Sequence, residues 1–241
     1  MTTPRHAIAT RTAAAGQEEQ PPLVLRGRPF LRGLLVVTLL LAVAHFAAVG
    51  AVWALPSANL HVPDAVKLNA ESTVATWFSS ALHLVNGLVL AVLAAGATRR
   101  ERWRWIVLAA MVVAVSMDEV SGFHEDVSWL MHTHLHTTGV LTYAWVIPAG
   151  AICAVVAVAC TRMVLCRPGG VVVILGAAVF LFGAVVMEVV EGWWIGGSGG
   201  TTEDAGFLIL NGIEETMEML GAIITMSGLF RMASGVQLRF R

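Results

Sequence analysis

Three carboxylates stand close together inside a strongly apolar stretch near the end of the chain. The run NGIEETMEML, residues 211–220, holds Glu214, Glu215 and Glu218, and apolar residues precede and follow it. A charged side chain at the centre of a bilayer costs about 2.5–3.5 kcal/mol on insertion scales, so acidic residues within apolar helices are typical of functional sites. Metal coordination, proton transfer and cation transport are the kinds of chemistry that such residues serve.

Further acidic residues and two histidines occur in three other apolar stretches. The segments WFSSALHLVNG, AVSMDEVSGFHEDVSW and MEVVEGWW each interrupt a hydrophobic run with ionisable side chains. Together with the three glutamates above, they supply eight candidate carboxylates and two candidate imidazoles. The candidates in these segments are His83, Asp118, Glu119, His124, Glu125, Glu188 and Glu191.

The composition of the chain is that of an integral membrane protein. Of its 241 residues 57% are hydrophobic and only 13% are charged, and the mean hydropathy is +0.75. Soluble domains carry about 25% charged residues, and a transmembrane helix needs roughly 20 apolar residues. We therefore expect an all-α fold with six transmembrane helices in one bundle. The predicted spans are residues 30–55, 74–98, 103–130, 138–163, 170–194 and 205–232.

The remaining segments are short and polar. We expect residues 1–29 to form a disordered cytoplasmic tail, residues 30–233 the six-helix domain, and residues 234–241 a short basic cytoplasmic tail. The formal net charge is −1, and no basic patch is interleaved with aromatic residues. The lipid bilayer is thus an expected partner, and nucleic acid is not.

The arginines predict the orientation of the spans. They concentrate before the first span, in TRRERWR between the second and third spans, in TRMVLCRP between the fourth and fifth, and after the last. The other three loops contain one basic residue, Lys67. Because cytoplasmic loops retain positive charge, both termini are predicted to be cytoplasmic.

With this orientation the ionisable residues share one depth. Spans two, three, five and six bring all eight carboxylates and both histidines into the outer half of the membrane. Residues three, four or seven apart share a helix face, so Glu188 pairs with Glu191 and Asp118 with Glu125. Eight carboxylates at one depth cannot all face lipid. Several must be protonated, or cations must hold them together.

A metal centre is the first interpretation of this cluster. Carboxylate-rich four-helix bundles with a few histidines hold di-iron or di-manganese centres, and zinc also accepts histidine and carboxylate ligands. We expect one or two metal ions, iron first, with zinc, manganese or copper as alternatives. The preferred ligands are Glu119, Glu125, Glu188, Glu214 and Glu218 with His83 and His124, and Asp118, Glu191 and Glu215 are ligands or their hydrogen-bonding partners.

The chemistry and its alternatives remain open at this point. Redox or hydrolytic chemistry on a lipophilic substrate from the bilayer would fit such a centre, although the Glu-x-x-His pairs of ferritin-like bundles are absent. A cation or proton transporter is a second interpretation, although the inner halves of the spans are apolar apart from His45. A third is a non-catalytic subunit of a larger membrane complex or a homo-oligomer. No catalytic residue is assigned.

Two resemblances bear on these interpretations. Ser79, His83 and the run DEVSG loosely resemble membrane ceramidases and adiponectin-receptor-like zinc hydrolases, but the late His-x-x-x-His pair of those enzymes is missing. The segments LNAESTVATWFSSALHL, SMDEVSGFHE and EETMEMLG resemble a widespread group of uncharacterised bacterial polytopic membrane proteins. That resemblance implies a bacterial inner-membrane location and no particular activity. The acidic and histidine positions that it shares are Asp118, Glu119, His124, Glu125, Glu214, Glu215 and Glu218.

Overall fold

The computed structural model describes residues 27–55 and 61–234, and this part of the chain is helical and contains no strand. The all-α prediction is confirmed. Most of both predicted tails lies outside the described residues, and α1 begins at Gly27, three residues before the predicted first span. The helices are α1 (Gly27–Ala54), α2 (Val74–Gly96), α3 (Arg99–Ser121), α4 (Phe123–Leu135), α5 (Val146–Leu165), α6 (Gly170–Leu181), α7 (Glu188–Gly197) and α8 (Ala205–Ala233).

Short irregular helices connect some of these elements. A π-helical turn, Phe182–Met187, joins α6 to α7, so that Gly170–Ser198 forms one continuous helix. Two 3-10 helices, Asp64–Val66 and Gly139–Leu141, lie in the loops before α2 and α5.

The protein is a membrane protein by the length and composition of its helices. Within the described residues, α1, α2, α5 and Gly170–Ser198 are long and apolar enough to cross a bilayer. The pair α3 and α4 forms a fifth candidate if it is counted as one broken span. Helix α8 has 29 residues, enough to cross the hydrocarbon core. Unlike the candidate spans named above, α8 carries three glutamates near its middle, those of the EETME run.

Two predicted spans differ from the observed helices. Residues 103–130 were expected to form one helix, but α3 and α4 meet at Gly122 with a bend of 77°. Gly122 adopts a left-handed conformation (φ 60°), which ends α3. Span four was expected to begin at residue 138, but α5 begins at Val146, just before Pro148. Proline is tolerated in the first turn of a helix and not in its interior, which accounts for the later start.

Glycines bring α6 and α8 into backbone contact. A Cβ atom at Gly221 would lie 2.5 Å from the Phe180 amide nitrogen, and one at Gly176 would overlap the backbone of Thr225. A Cβ at Gly183, in the π-helical turn, would lie 3.1 Å from the carbonyl oxygen of Glu214. Small residues at helix crossings allow such close approach in membranes. The contact holds the acidic part of α8 beside the start of α7.

We predict that Gly221→Leu disrupts this crossing. Its side chain would meet backbone atoms, which cannot rotate away, so overpacking should cost at least about 1–3 kcal/mol. The midpoint of thermal unfolding and the yield of monodisperse protein in detergent should both fall. Gly50→Leu on α1 is the matched control, because a Cβ at Gly50 has no atom within 4 Å. Equal stability of the two variants would contradict the proposed crossing.

The connection between α7 and α8 is fixed by Asp204. Its carboxylate accepts hydrogen bonds from the Phe207 amide (2.9 Å), the Thr201 amide (2.7 Å) and the Trp194 indole (3.0 Å). It thereby caps α8 and ties the last turn of α7 to it. Partial burial opposes the charged form, but these donors outweigh it and lower the pKa of Asp204 below its usual value.

The Asp204 cap predicts a pH-dependent stability. Because its pKa is lowered in the folded protein, the contribution is fully present above the unfolded value of about 3.9 and disappears as the pH falls through the folded value. Asp204→Ala should therefore lower the unfolding temperature at pH 7 and have a smaller effect below about pH 4. Glu203→Ala is the control, since the Glu203 side chain is 74% exposed and forms only a long ion pair with Lys67 (3.7 Å) among the described residues. A pH-independent difference would rule out the ionised cap.

Candidate functional site

One cavity of about 610 Å³ collects nearly all of the predicted site residues. It lies between α3, α5, the helix from α6 to α7, and α8. His83 alone does not line it and lies behind Glu119 instead. The predicted residues that line the cavity are Asp118, Glu119, His124, Glu125, Glu188, Glu191, Glu214, Glu215 and Glu218.

The bend at Gly122 brings Asp118 against His124. The Asp118 carboxylate accepts a hydrogen bond from the His124 amide (2.9 Å), and its second oxygen lies 2.8 Å from Nδ1 of the His124 ring. Residues six apart point about 120° away from each other on a straight helix, at 100° per residue. Asp118 and His124 therefore meet only because the helix breaks between them.

The rim of the cavity includes a carboxylate that is not among the predicted site residues. Glu71, in the turn before α2, lines the cavity. A Cβ atom at Gly122 would lie 3.5 Å from Oε1 of Glu71 and 3.7 Å from Oε2 of Glu125. Glu71 and Glu125 thus both lie against the bend at Gly122. Nothing in the spacing of the sequence indicates this contact, because it depends on the bend.

One corner of the site is formed by α2, α3 and α8. Nε2 of the buried His83 lies 3.7 Å from the Glu119 carboxylate, and its ring meets that of Phe180 edge-on. The Glu119 carboxylate also lies against Ser79 and Glu218. An imidazole, a hydroxyl and two carboxylates from three helices therefore converge at this corner.

The opposite corner is formed by α7 and α8. Glu191 lies against Glu214 and Asn211, and Glu215 interacts with carboxylates of both corners. The π-helical turn directly precedes Glu188. Such turns shift the register of the side chains that follow and are frequent at functional sites.

Two aromatic residues that precede α5, Tyr143 and Trp145, also lie at this corner. Neither was predicted to be part of the site. The Trp145 indole donates a hydrogen bond to Glu188 (3.1 Å), and its ring lies 5.3 Å from that of His124. Tyr143 lines the same cavity. Trp145 was expected inside span four, but it lies just before the first residue of α5. This later start of α5 brings both residues to the site.

Several buried polar atoms around the cluster have no hydrogen-bond partner among the described residues. Oε2 of Glu188 and Oε1 of Glu191 belong to side chains that are only 7% and 3% exposed, and both residues line the cavity. Buried polar groups almost always have a partner, so each exception needs an explanation. The other such atoms in this region are Ser79 Oγ, His83 Nε2, Asn86 Oδ1 and Asn211 Oδ1.

The carboxylates are not arranged as a ready coordination sphere. Across residues 27–55 and 61–234, no three histidine, cysteine, aspartate or glutamate side chains form a group that could hold a metal ion as they stand. The acidic side chains surround the cavity in pairs instead. The three histidines of the HTHLH run also form no such group, and His132 bonds to the Thr137 carbonyl oxygen (2.7 Å).

His45 lies at the acidic end of the bundle, in contrast to the expectation that it lies in the inner half. It is fully buried, and its ring nitrogens face the carbonyl oxygens of Leu208 (2.9 Å) and Val66 (3.3 Å). Leu208 lies in the first turn of α8. One turn further along α8, Gly212 has no side chain, and this leaves room for the His45 ring. His45 does not line the cavity and has a packing role.

The far end of the bundle is apolar. Trp105, Met163 and Leu229 are buried there in a cluster that joins α2, α3, α5, α6 and α8. None of the residues that line the cavity belongs to this cluster. The polar site is therefore confined to one end of the helices.

These features define a helical membrane protein with an acid-lined cavity at one end of its bundle. Residues 33–233 match a family described as a domain of unknown function (DUF8692), and the chain belongs to this family. The match runs from α1 to α8, so the whole helical bundle is the family's unit. No curated protein and no solved structure matches the chain.

We predict that Asp118 and His124 are energetically coupled through the bend. In a double-mutant cycle of Asp118→Ala and His124→Ala, the coupling in the free energy of unfolding should be about 0.5–3 kcal/mol. Reversible unfolding in mixed detergent micelles measures it. Asp118→Ala combined with Thr133→Ala is the control, since the Thr133 hydroxyl bonds only within α4, to the Trp129 carbonyl oxygen. Additive effects of the first pair would show that the contact does not stabilise the bend.

Proposed function

We propose that this chain is a metalloprotein of the bacterial inner membrane with six transmembrane spans and both termini in the cytoplasm. Helices α1, α2, α5, α8, the pair α3 and α4, and the continuous helix Gly170–Ser198 would be the spans. The length of α8 and the concentration of arginines in alternate loops support this arrangement. The cavity then opens in the outer half of the membrane.

The proposed site is a carboxylate and histidine centre for one or two metal ions. The observation that carries it is that Glu188 and Glu191, which line the cavity beside Glu214, each have a buried carboxylate oxygen without a partner among the described residues. Such oxygens have capacity for a cation. Carboxylate and imidazole ligands suit iron, manganese and zinc, and iron is our first expectation, with copper a further alternative.

The residues fit a metal ion only after small movements of their side chains. In the described part of the chain no three ligand groups converge as they stand, but the carboxylates lie around one open cavity and can rotate about their side-chain torsions towards its centre. Glu188 and Glu191 on α7, and Glu214, Glu215 and Glu218 on α8, are best placed to do so. Glu119 and His83 would complete the centre from α3 and α2.

A bound metal ion would supply either redox capacity or an activated water for hydrolysis. The chain itself would orient ligands and handle protons. Trp145 holds one oxygen of Glu188 by a hydrogen bond. His124, oriented by Asp118, can accept or donate a proton at the rim. The apolar walls of the cavity would admit a lipophilic substrate and exclude water.

Elemental analysis of detergent-purified protein by inductively coupled plasma mass spectrometry tests this proposal. We expect about one or two metal ions per chain, and at least a tenfold loss in the double variant Glu188→Gln/Glu191→Gln, in line with the effect of removing ligands or their partners. The matched control is Glu101→Gln. The Glu101 carboxylate lies 2.6 Å from the Arg167 guanidinium, and neither residue lines the cavity.

The opposite result would favour the other interpretations of the cluster. Folded, chelator-free protein without metal would contradict the metal centre. The carboxylates would then be protonated, and cation or proton transport, or assembly into a larger membrane complex or a homo-oligomer, would become the better account. Proton uptake by protein reconstituted in vesicles, with the same variants, would separate transport from assembly.

A further inference from the structure

The cavity has a second, apolar part that the acidic cluster does not use. Its walls come from α3 and α5, and its floor comes from the end of α6 and the π-helical turn. We call this part the apolar arm. The residues that define it are Met111, Val115, Ala149, Ile152, Phe180 and Ala184.

The apolar arm opens on the flank of the bundle. Ile152 is 56% exposed, and Ala114 and Pro148 are also exposed, although all three line the cavity. Helices α3 and α5 pack loosely against each other, in contrast to the close pair α2 and α3. In a transmembrane bundle, an opening between two helices at this level faces the hydrocarbon of the bilayer. Met111 lies two turns, or about 10 Å, along α3 from Asp118, so the arm extends well below the acidic cluster.

The polar end of the cavity has a strongly acidic lining. Nine carboxylates line it, and among the described residues neither lysine nor arginine does. Carboxylate oxygens can accept hydrogen bonds from a cationic head group, whereas the described lining has no lysine or arginine to pair with an anionic one. Tyr143, Trp145 and Phe123 add aromatic rings to the same lining, and such rings attract cations.

We propose that the cavity binds a single-chain amphiphile with an amine head group. Its hydrocarbon chain would enter between α3 and α5 and lie in the apolar arm, and its ammonium group would reach carboxylates of the acidic end that are not assigned to the metal ion, such as Glu71 and Glu125. A volume of about 610 Å³ is within the range of small-molecule pockets, roughly 300–1,000 Å³, and suits one chain better than a two-chain phospholipid. This inference rests on the proposed function, since it names the substrate class of the same site.

Photo-crosslinking in lipid nanodiscs tests the inference. Two probes of equal chain length, a dodecylamine and a dodecanoic acid that each carry a diazirine at the chain end, are added separately to protein in phosphatidylcholine nanodiscs. Mass spectrometry then locates the adducts along the chain. We expect the amine probe to label the segments 111–115 and 148–153 at least about tenfold more than the acid probe does, because like charges at an interface oppose binding.

Variants on α5 provide the structural control. Ala149→Trp fills the apolar arm and should reduce labelling of these segments by the amine probe about tenfold. The probe chain would have to enter space that the indole ring already occupies, and such overpacking is costly. Val158→Trp places the same side chain on the same helix at a position that is 89% exposed and outside the cavity, and it should change nothing. Equal labelling by both probes, labelling spread evenly over lipid-facing residues, or unchanged labelling in Ala149→Trp would each overturn the inference.

Metal analysis of the same nanodisc samples separates this inference from the proposed function. If the amine labels the arm but no metal is present, the metal centre fails and the amphiphile site remains. If metal is present but the arm is not labelled selectively, the amphiphile site fails and the metal centre remains. Ala149→Trp should keep the metal content of the unmodified protein, because Ala149 is not among the proposed ligands.

Discussion

The fold depends on keeping eight carboxylates of apolar helices away from hydrocarbon. Each would cost about 2.5–3.5 kcal/mol on insertion scales if it faced lipid, so the helices must be assembled around a shared polar interior. The crossing of α6 and α8 meets this requirement. Gly176 and Gly221 allow backbone contact there, and Gly183 lies against Glu214. The acidic turns of α7 and α8 are therefore set face to face by packing, before any ligand is considered.

Two local irregularities complete the arrangement. The left-handed conformation at Gly122 ends α3 and redirects the chain by 77°, which brings His124 back onto Asp118. The π-helical turn before Glu188 changes the register of α7 relative to α6. A regular helix in either place would distribute the same side chains around its circumference. The site thus requires deviations from regular geometry at the two places where its side chains are densest.

The sequence is sufficient to predict most of the helices and eight of the nine carboxylates that line the cavity, because both follow from short-range patterns. Apolar runs of about 20 residues predict spans, and carboxylates three or four residues apart, such as Glu188 and Glu191, predict a shared face. What it did not predict depends on tertiary geometry. Glu71 reaches the rim only because the chain bends at Gly122, and the bend itself was missed because Gly122 also fits a close helix crossing. His45 was misplaced because its partners, the carbonyl oxygens of Val66 and Leu208, leave no signal in the sequence.

The cavity combines two environments that a soluble pocket seldom brings so close together. Its acidic end retains buried carboxylate oxygens that have no partner within residues 27–55 and 61–234. Leaving such a group unsatisfied costs about 1–3 kcal/mol, and more when it is charged. Its apolar end opens towards the flank of the bundle, between α3 and α5. A fold can retain unsatisfied groups when a ligand satisfies them in the working state, since anything that binds the folded protein alone also stabilises it. A cation held by the carboxylates and a chain held in the apolar arm would both act in this way, and they would do so at opposite ends of one cavity.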